Sequence, residues 1–209
     1  MEEIDIWRDL TIEHYQNSSH AFWEGTKDHD VTQNYAALQS RLPARTGMHI
    51  LDLGCGPGRD LKYFKLRGHF PIGLDACENF CEMARTHSGC EVWHQDFCKM
   101  DLPLNHFHGI FANASLFHVP KIHLSHVLNT LYSSLQTNDI LFSSNPRGSR
   151  EYFDGKRYGN YMEFTEYKDY LEKAHFTVVD HYYRPTGWPR EEQPWLAFVA
   201  KKDIVGQDI

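Results

Sequence analysis

Residues 50–61 read ILDLGCGPGRDL. A short apolar strand runs into an aspartate, glycines follow on alternate positions at Gly54, Gly56 and Gly58, and the charged pair Arg59–Asp60 opens a helix. Glycines at this spacing let the backbone approach a ligand without a Cβ in the way. In an open α/β sheet the carboxyl end of a strand, near a reversal of strand order, is where ligands bind. The stretch predicts both a strand–turn–helix unit and a ligand on it.

Working outward, strand and helix signals alternate, which argues for βαβ units and a largely parallel sheet. HILDL (49–53) is the first strand, and RDLKYFKLRG follows as a helix capped at Gly68. FPIGLD (70–75) is the second strand, and ENFCEMARTH sets Phe80, Met83, Ala84 and His87 at helical spacing. EVWHQDF, GIFANA and ILFSS read as the third to fifth strands. Between the last two, Leu124, Val127, Leu128, Leu131 and Leu135 make one helical stripe.

The rhythm then changes. NPRGSREYFDGKRYGNY (145–161) reads as a long loop, and long loops in compact domains are commonly functional. A helix over 164–174 precedes FTVVDHYYRP and PWLAFVAKK, two strands whose link is too short for a crossover helix, so they pair antiparallel. His181, Tyr182, Tyr183 and Arg184 on the first of these are expected at the core or sheet edge rather than on a ligand. Ahead of Ile50, one helix is expected over Glu3–Asn17. A second starts at Asp30 as N-cap, with Val31, Leu38 and Leu42 inward. AFWEGTKDHD between them reads as ordered chain.

The expected fold is α/β, a Rossmann-like seven-stranded sheet of five parallel strands plus a C-terminal antiparallel hairpin, with helices on both faces. Residues 1–209 are expected to form one domain, with a helical cap over 1–45, a cofactor-binding core over 46–202 and a tail over 203–209.

Bulk properties narrow the partners. Lys+Arg 21 against Asp+Glu 28 gives a net charge of −7 over 209 residues, a poor surface for duplex nucleic acid. No apolar run suits a bilayer span and the acidic N-terminus lacks a signal-like apolar core. Cys55, Cys77, Cys81, Cys90 and Cys98 form no zinc-like pairing and fit a reduced, cytoplasmic protein. Asp28–His29–Asp30 reads as a solvated turn rather than a metal site, so no metal is expected.

The glycine turn by itself leaves two cofactors open, a nicotinamide dinucleotide and S-adenosylmethionine. A dinucleotide fingerprint is G-x-G-x-x-G/A, whereas the spacing here is G-x-G-x-G and Arg59 and Asp60 follow the last glycine. Asp75 ends the second strand, the usual place for a carboxylate that hydrogen-bonds ribose hydroxyls, and serves either cofactor.

From Tyr15 to the last strand the chain resembles the class I S-adenosylmethionine-dependent methyltransferases, in their small bacterial-type subgroup acting on small molecules. LDLGCGPGRD resembles the family's first motif, GLDACENF its second, HQDF its third and GIFANASLFHVP its fourth, and the terminal hairpin is also a mark of that fold. The stretch with Thr26, Asp28 and Asp30 and the late RY match the subgroup. The resemblance implies that Asp52, Gly54, Cys55, Gly56, Gly58, Arg59 and Asp60 hold the methionine end of the cofactor. It places Asp75, with Ala76 beside it, on the ribose, Asp96 on the adenine amino group and Phe97 on the adenine face. Asn113 borders the reaction centre, accepting from the cofactor's amino group or orienting the substrate.

Methyl transfer from a sulfonium is an in-line displacement in which the protein chiefly supplies position. His118, on the loop after the fourth strand, is the candidate general base. The substrate is expected between Tyr15, Phe22 and Trp23 of the early segment and Arg147, Arg157, Tyr158 and Tyr161 of the late loop. Arg147 and Arg157 would fork onto a carboxylate or phosphate. SNPRG (144–148) follows the fifth strand rather than the fourth and lacks the aromatic, so it is not the base-flipping motif of amino-methyltransferases. The expected activity is methylation of an N, O or S atom of a small, anionic metabolite, yielding S-adenosylhomocysteine, by a monomer or homodimer. The alternatives are a methyltransferase of protein or RNA and a cofactor-binding regulatory module.

Overall fold

The structure is a computed structural model and describes residues 3–203. Expectations for 1, 2 and 204–209 lie outside the described residues. Strands β1 (His49–Leu53), β2 (Phe70–Asp75), β3 (Glu91–His94), β4 (Phe107–Asn113) and β5 (Leu135–Pro146) pair parallel. Two further strands, β8 (Phe176–Arg184) and β9 (Trp195–Lys202), form the antiparallel hairpin, and the sheet order is β3-β2-β1-β4-β5-β9-β8. Strand β9 runs antiparallel to both β5 and β8, with Ser143 opposite Phe198. The order reverses between β1 and β4, which places the glycine turn at the switch point.

Helices α1 (Glu3–Thr26), α2 (Thr32–Gln39), α3 (Arg59–Leu66), α4 (Glu78–Ser88), α5 (Lys121–Ser134) and α6 (Phe164–Lys173) complete the architecture. Alternation along each strand divides the core into two faces. Ile50, Phe111, Ile140, Phe142 and Val199 pack with Tyr35 and Leu38 of α2 and Phe64 of α3. Leu51, Leu53, Ile110, Leu141 and Phe198 pack with Leu124, Leu128 and Leu131 of α5 and with Tyr167 and Leu171 of α6. Each such side chain contributes on the order of 1.5–3 kcal/mol by burial. No helix of the described residues is long and apolar enough to cross a membrane.

Four expectations change. The late stretch is not an open loop: β6 (Arg150–Phe153) and β7 (Tyr158–Tyr161) form a separate hairpin with Tyr152 opposite Gly159. Tyrosines and Arg at alternate positions suit a ladder, and the turn is held by Asp154 Oδ1, which accepts from the N–H groups of Lys156 and Arg157 (2.8 and 2.6 Å). The first helix continues past Asn17 to Thr26, absorbing the start of the supposed connection. Asp30 caps the next helix one residue early, its Oδ1 accepting from Thr32 N–H at 2.9 Å. On α4 the buried side is Phe80, Cys81, Ala84 and Ser88, so Met83 and His87 sit at its margin.

Candidate active site

The glycine turn is closed from behind and open in front. Gly54 (φ +74°) has no room for a side chain, since a Cβ would lie 2.4 Å from Ser115 Cβ. Gly58 (φ +90°) lies against α4, where a Cβ would come within 2.8 Å of Ala84 Cα. The Gly56 N–H donates to Asp75 Oδ2 (3.0 Å) and the Cys77 N–H to Oδ1 (2.9 Å), so β2's terminal carboxylate is aimed by backbone. Burial pushes the Asp75 carboxyl up to about 6 against these hydrogen bonds.

A cleft of about 490 Å³ opens on this turn. Gly54, Cys55, Gly56, Arg59, Asp60 and Asn113 line one stretch of it, and Asp75, Ala76, Asp96 and Phe97 another. Tyr15, Phe22, Trp23 and His118 line it as well. Asp52 and Gly58 stand behind the wall. Asp52 is 1% exposed and its Oδ2 has no hydrogen-bond partner in the described residues; burial, then the nearby Asp60, hold its carboxyl well above the usual range. Asp96 caps the turn at Phe97 by accepting from Cys98 N–H (2.9 Å).

The helix α1 lies over the cleft, where the sequence predicts a cap, and brings Tyr15, Phe22 and Trp23 to it. Arg8 reaches Asp96 (Nε–Oδ2 3.4 Å), and Gln16 accepts from Asn79 N–H (3.2 Å). Thr11 Oγ1 accepts from the buried Tyr158 N–H at 2.7 Å, tying α1 to the β6–β7 hairpin, and Trp7 stacks on Phe153 with centroids 5.7 Å apart. Arg8 and Thr11 both line the cleft and were missed in the sequence, because nothing local marks which side chains of a helix reach a distant site.

Tyr15 and His118 meet across 103 residues of sequence: Tyr15 Oη lies 2.9 Å from His118 Nε2. His118 Nδ1 lies 2.7 Å from the Tyr158 carbonyl. A carbonyl only accepts, so Nδ1 carries the ring proton and Nε2 accepts from the phenol. Burial pushes the His118 pKa down to about 4, leaving the ring neutral. The turn bearing it is clamped by Asn145, whose Oδ1 accepts from Phe117 N–H at 3.1 Å.

At the end of β4, Asn113 joins a buried polar chain. Asn34 Nδ2 donates to Asn113 Oδ1 (2.8 Å), and Asn113 Nδ2 donates to Asp60 Oδ2 (3.3 Å). Asp60 also accepts from Arg59 Nε (2.7 Å), Arg59 Nη2 (3.0 Å) and Tyr35 Oη (2.5 Å).

The late arginines and tyrosines are placed elsewhere. Arg147 donates to the Arg190 carbonyl (2.8 Å) and faces Glu163, so it is spent on loop packing. Arg157 pairs with Asp154 at 3.8 Å, beside the Tyr15 hydroxyl, where it opposes the upward push of burial on that phenol. Tyr158 is buried, its hydroxyl on Glu151 (2.5 Å), and Tyr161 packs on Phe117 and against Gly148 and Gly159. None of these four lines the cleft, because the hairpin turns its side chains to α1 and the turn after β4 rather than inward. Arg184, expected at the core or edge, does line it, with Trp195 beside it across the β8–β9 pairing.

Glycine backbone held open at the switch point, a carboxylate at the end of β2 and an aromatic with a carboxylate after β3 fit a bound adenosyl-amino acid from end to end. The fold is the Rossmann-like one found in S-adenosylmethionine-dependent methyltransferases. Residues 50–138 match the family model described as a methyltransferase domain, and proteins of the same fold are known in complex with S-adenosylmethionine or S-adenosylhomocysteine. No curated protein sequence matches it. Among solved structures, it is similar to the Burkholderia thailandensis 1,6-didemethyltoxoflavin-N1-methyltransferase with bound 1,6-didemethyltoxoflavin and S-adenosylhomocysteine (TM-score 0.80, 21% identity, 98% of this chain and 92% of that one). It is also similar to a TehB-like methyltransferase from Corynebacterium glutamicum (TM-score 0.72, 15% identity, 90% and 98%). A third is Haemonchus contortus phosphoethanolamine N-methyltransferase 2 in complex with phosphomonomethylethanolamine and S-adenosylhomocysteine (TM-score 0.77, 13% identity, 95% and 60%).

Proposed function

We propose that the chain methylates a nucleophilic N, O or S atom of a small, anionic molecule, with residues 3–45 as cap and 46–202 as cofactor-binding core of one unit. The observation that carries this reading is the phenol–imidazole pair of Tyr15 and His118, held at the cleft under α1. A cleft covered by a helix suits a small acceptor better than an extended macromolecule.

Bound S-adenosylmethionine supplies a methyl group already activated on a sulfonium centre, so the acceptor's lone pair forms the new bond as the carbon–sulfur bond breaks. The glycine turn, Asp75 and Asp96 hold and orient the cofactor, and α1 excludes water. Tyr15 Oη accepts the proton that the acceptor loses and passes its own to His118 Nε2. The Nδ1–H on the Tyr158 carbonyl keeps Nε2 free for it. His118 therefore acts through Tyr15 rather than on the acceptor. Arg184 Nη2, which donates to the Asp30 carbonyl at 3.2 Å, is the cation placed to meet an anionic group, the role the sequence suggested for Arg147 and Arg157. Two of the similar proteins are N-methyltransferases and one was crystallised with a phosphate-bearing amine, which supports a nitrogen acceptor and an anionic group.

The test is a metabolite extract incubated with methyl-labelled S-adenosylmethionine, with labelled products identified by mass. Label is expected in a small anionic product and its formation should fall about 10²-fold or more in Tyr15→Phe, the range for general base loss. Label confined to protein or RNA, or full turnover by Tyr15→Phe, would overturn the reading.

A further inference from the structure

Asn34 is fully buried on α2 between apolar Val31, Tyr35 and Leu38, and it touches no part of the cleft. A buried amide without a role in packing is costly unless its hydrogen bonds are met. They are met in one direction only. Tyr182 Oη on β8 lies 2.9 Å from Asn34 Oδ1, Asn34 Nδ2 donates to Asn113 Oδ1, and Asn113 Nδ2 donates to Asp60.

The direction is set at the far end. Asp60 is clasped by both Arg59 nitrogens and by Tyr35, and a carboxylate in that grip offers only acceptors. Asn113 must therefore turn its NH₂ to Asp60 and its carbonyl to Asn34. Asn34 must then turn its own NH₂ to Asn113, which leaves its carbonyl for the Tyr182 hydroxyl. Asp60 thus sets the flip of Asn113, and Asn34, itself held by Tyr182, fixes the position of the Asn113 carbonyl from the other side. Asn113 spends one N–H and one lone pair on the chain and keeps one of each toward the cleft.

Asn113 also stands in a defined place along the cofactor. Phe111 is the β4 partner of Asp52 on β1, so two residues further on Asn113 lies beside Gly54, at the methionine end. We infer that Tyr182 and Asn34 are positioning residues for cofactor binding: through Asn113 they aim a carbonyl lone pair at the amino-acid portion of the cofactor. This inference rests on the placement of the methionine end and is independent of the acceptor. It links the C-terminal hairpin and the cap helix α2 to the donor side of the reaction.

Calorimetric titration with two probes separates this role from a structural one. S-adenosylhomocysteine carries the amino-acid portion and methylthioadenosine lacks it. Tyr182→Phe keeps the ring and removes the donor. It should weaken S-adenosylhomocysteine about three- to tenfold, the worth of one hydrogen bond, and leave methylthioadenosine within about twofold. In an Asn113→Ala background the same substitution should have no further effect. Asn34→Asp, which cannot donate to Asn113, should behave like Tyr182→Phe. Equal losses for both probes, additive effects with Asn113→Ala, or unchanged affinities would each overturn the inference. Failure of the acceptor screen would leave these titrations as they are.

Discussion

Asp75 and His118 carry opposite shifts from the same cause, burial, and their consequences run in opposite directions. Asp75 is raised to about 6, so the free protein binds a proton there that the unfolded chain has released, and that share of stability is lost as pH rises through about 6. In the proposed cofactor site, ribose hydroxyls would donate to the ionised form, so cofactor binding would expel the proton. S-adenosylhomocysteine affinity is therefore expected to rise with pH up to about 6, by at most about tenfold per unit, and then level off. Asp75→Asn should abolish the slope; a flat wild-type profile between pH 5 and 7 would contradict the assignment. His118, lowered to about 4, contributes stability that is whole above the ordinary histidine range and lost as pH falls toward 4. Asp75 was legible from its place at a strand end. The neutral tautomer of His118 was not, because it depends on a carbonyl 40 residues away.

The element whose extent changed most is α1. It is held by aromatic contacts of Trp7 with Phe153 and of Tyr15 and Phe22 with Phe80, and by polar contacts of Arg8 with Asp96, Thr11 with Tyr158 and Gln16 with Asn79. Thr11→Val keeps the shape and leaves the Tyr158 N–H buried without a partner, which should cost about 1–3 kcal/mol in denaturant unfolding. A change below about 0.5 kcal/mol would mean that the hairpin is not held through this bond. The β6–β7 hairpin was read as an open loop because glycines and charges dominate its sequence. Its pairing rests instead on a turn in which one aspartate accepts from two successive N–H groups.

Across the whole molecule, period-two alternation along β1 and β4 decides which face each side chain serves. Asp52 follows Ile50 and Asn113 follows Phe111 onto the α2–α3 side, where Asp60 and Asn34 wait. A one-residue slip in register would bury Asn113 among the leucines of α5 instead. Because the cleft proposed for the cofactor is lined from α1, the glycine turn, β2 and the turn after β3, ligand binding should stabilise the chain as a unit. S-adenosylhomocysteine at about 100 times its Kd is expected to add about 2.7 kcal/mol and raise the Tm by about 5–10 °C. Asp75→Ala should lose most of that shift in a thermal scan. A full shift in the variant would count against the site.

What the sequence determined by itself is the donor half. The glycine spacing, the carboxylate ending β2, HQDF and the alternation of strand and helix are local patterns, each confined to one βαβ unit, where neighbours in sequence are neighbours in space. On the acceptor side the sequence named Tyr15, Phe22, Trp23 and His118, which do line the cleft, but tertiary structure decided which of them meet and which arginine reaches it. Arg147 and Arg184 are alike as letters and each donates to a loop carbonyl, yet only Arg184 lines the cleft. Tyr15 and His118, and Tyr182, Asn34 and Asn113, are brought together from elements far apart along the chain. Contacts between such elements leave no periodic trace in either segment, so only the packed molecule shows them.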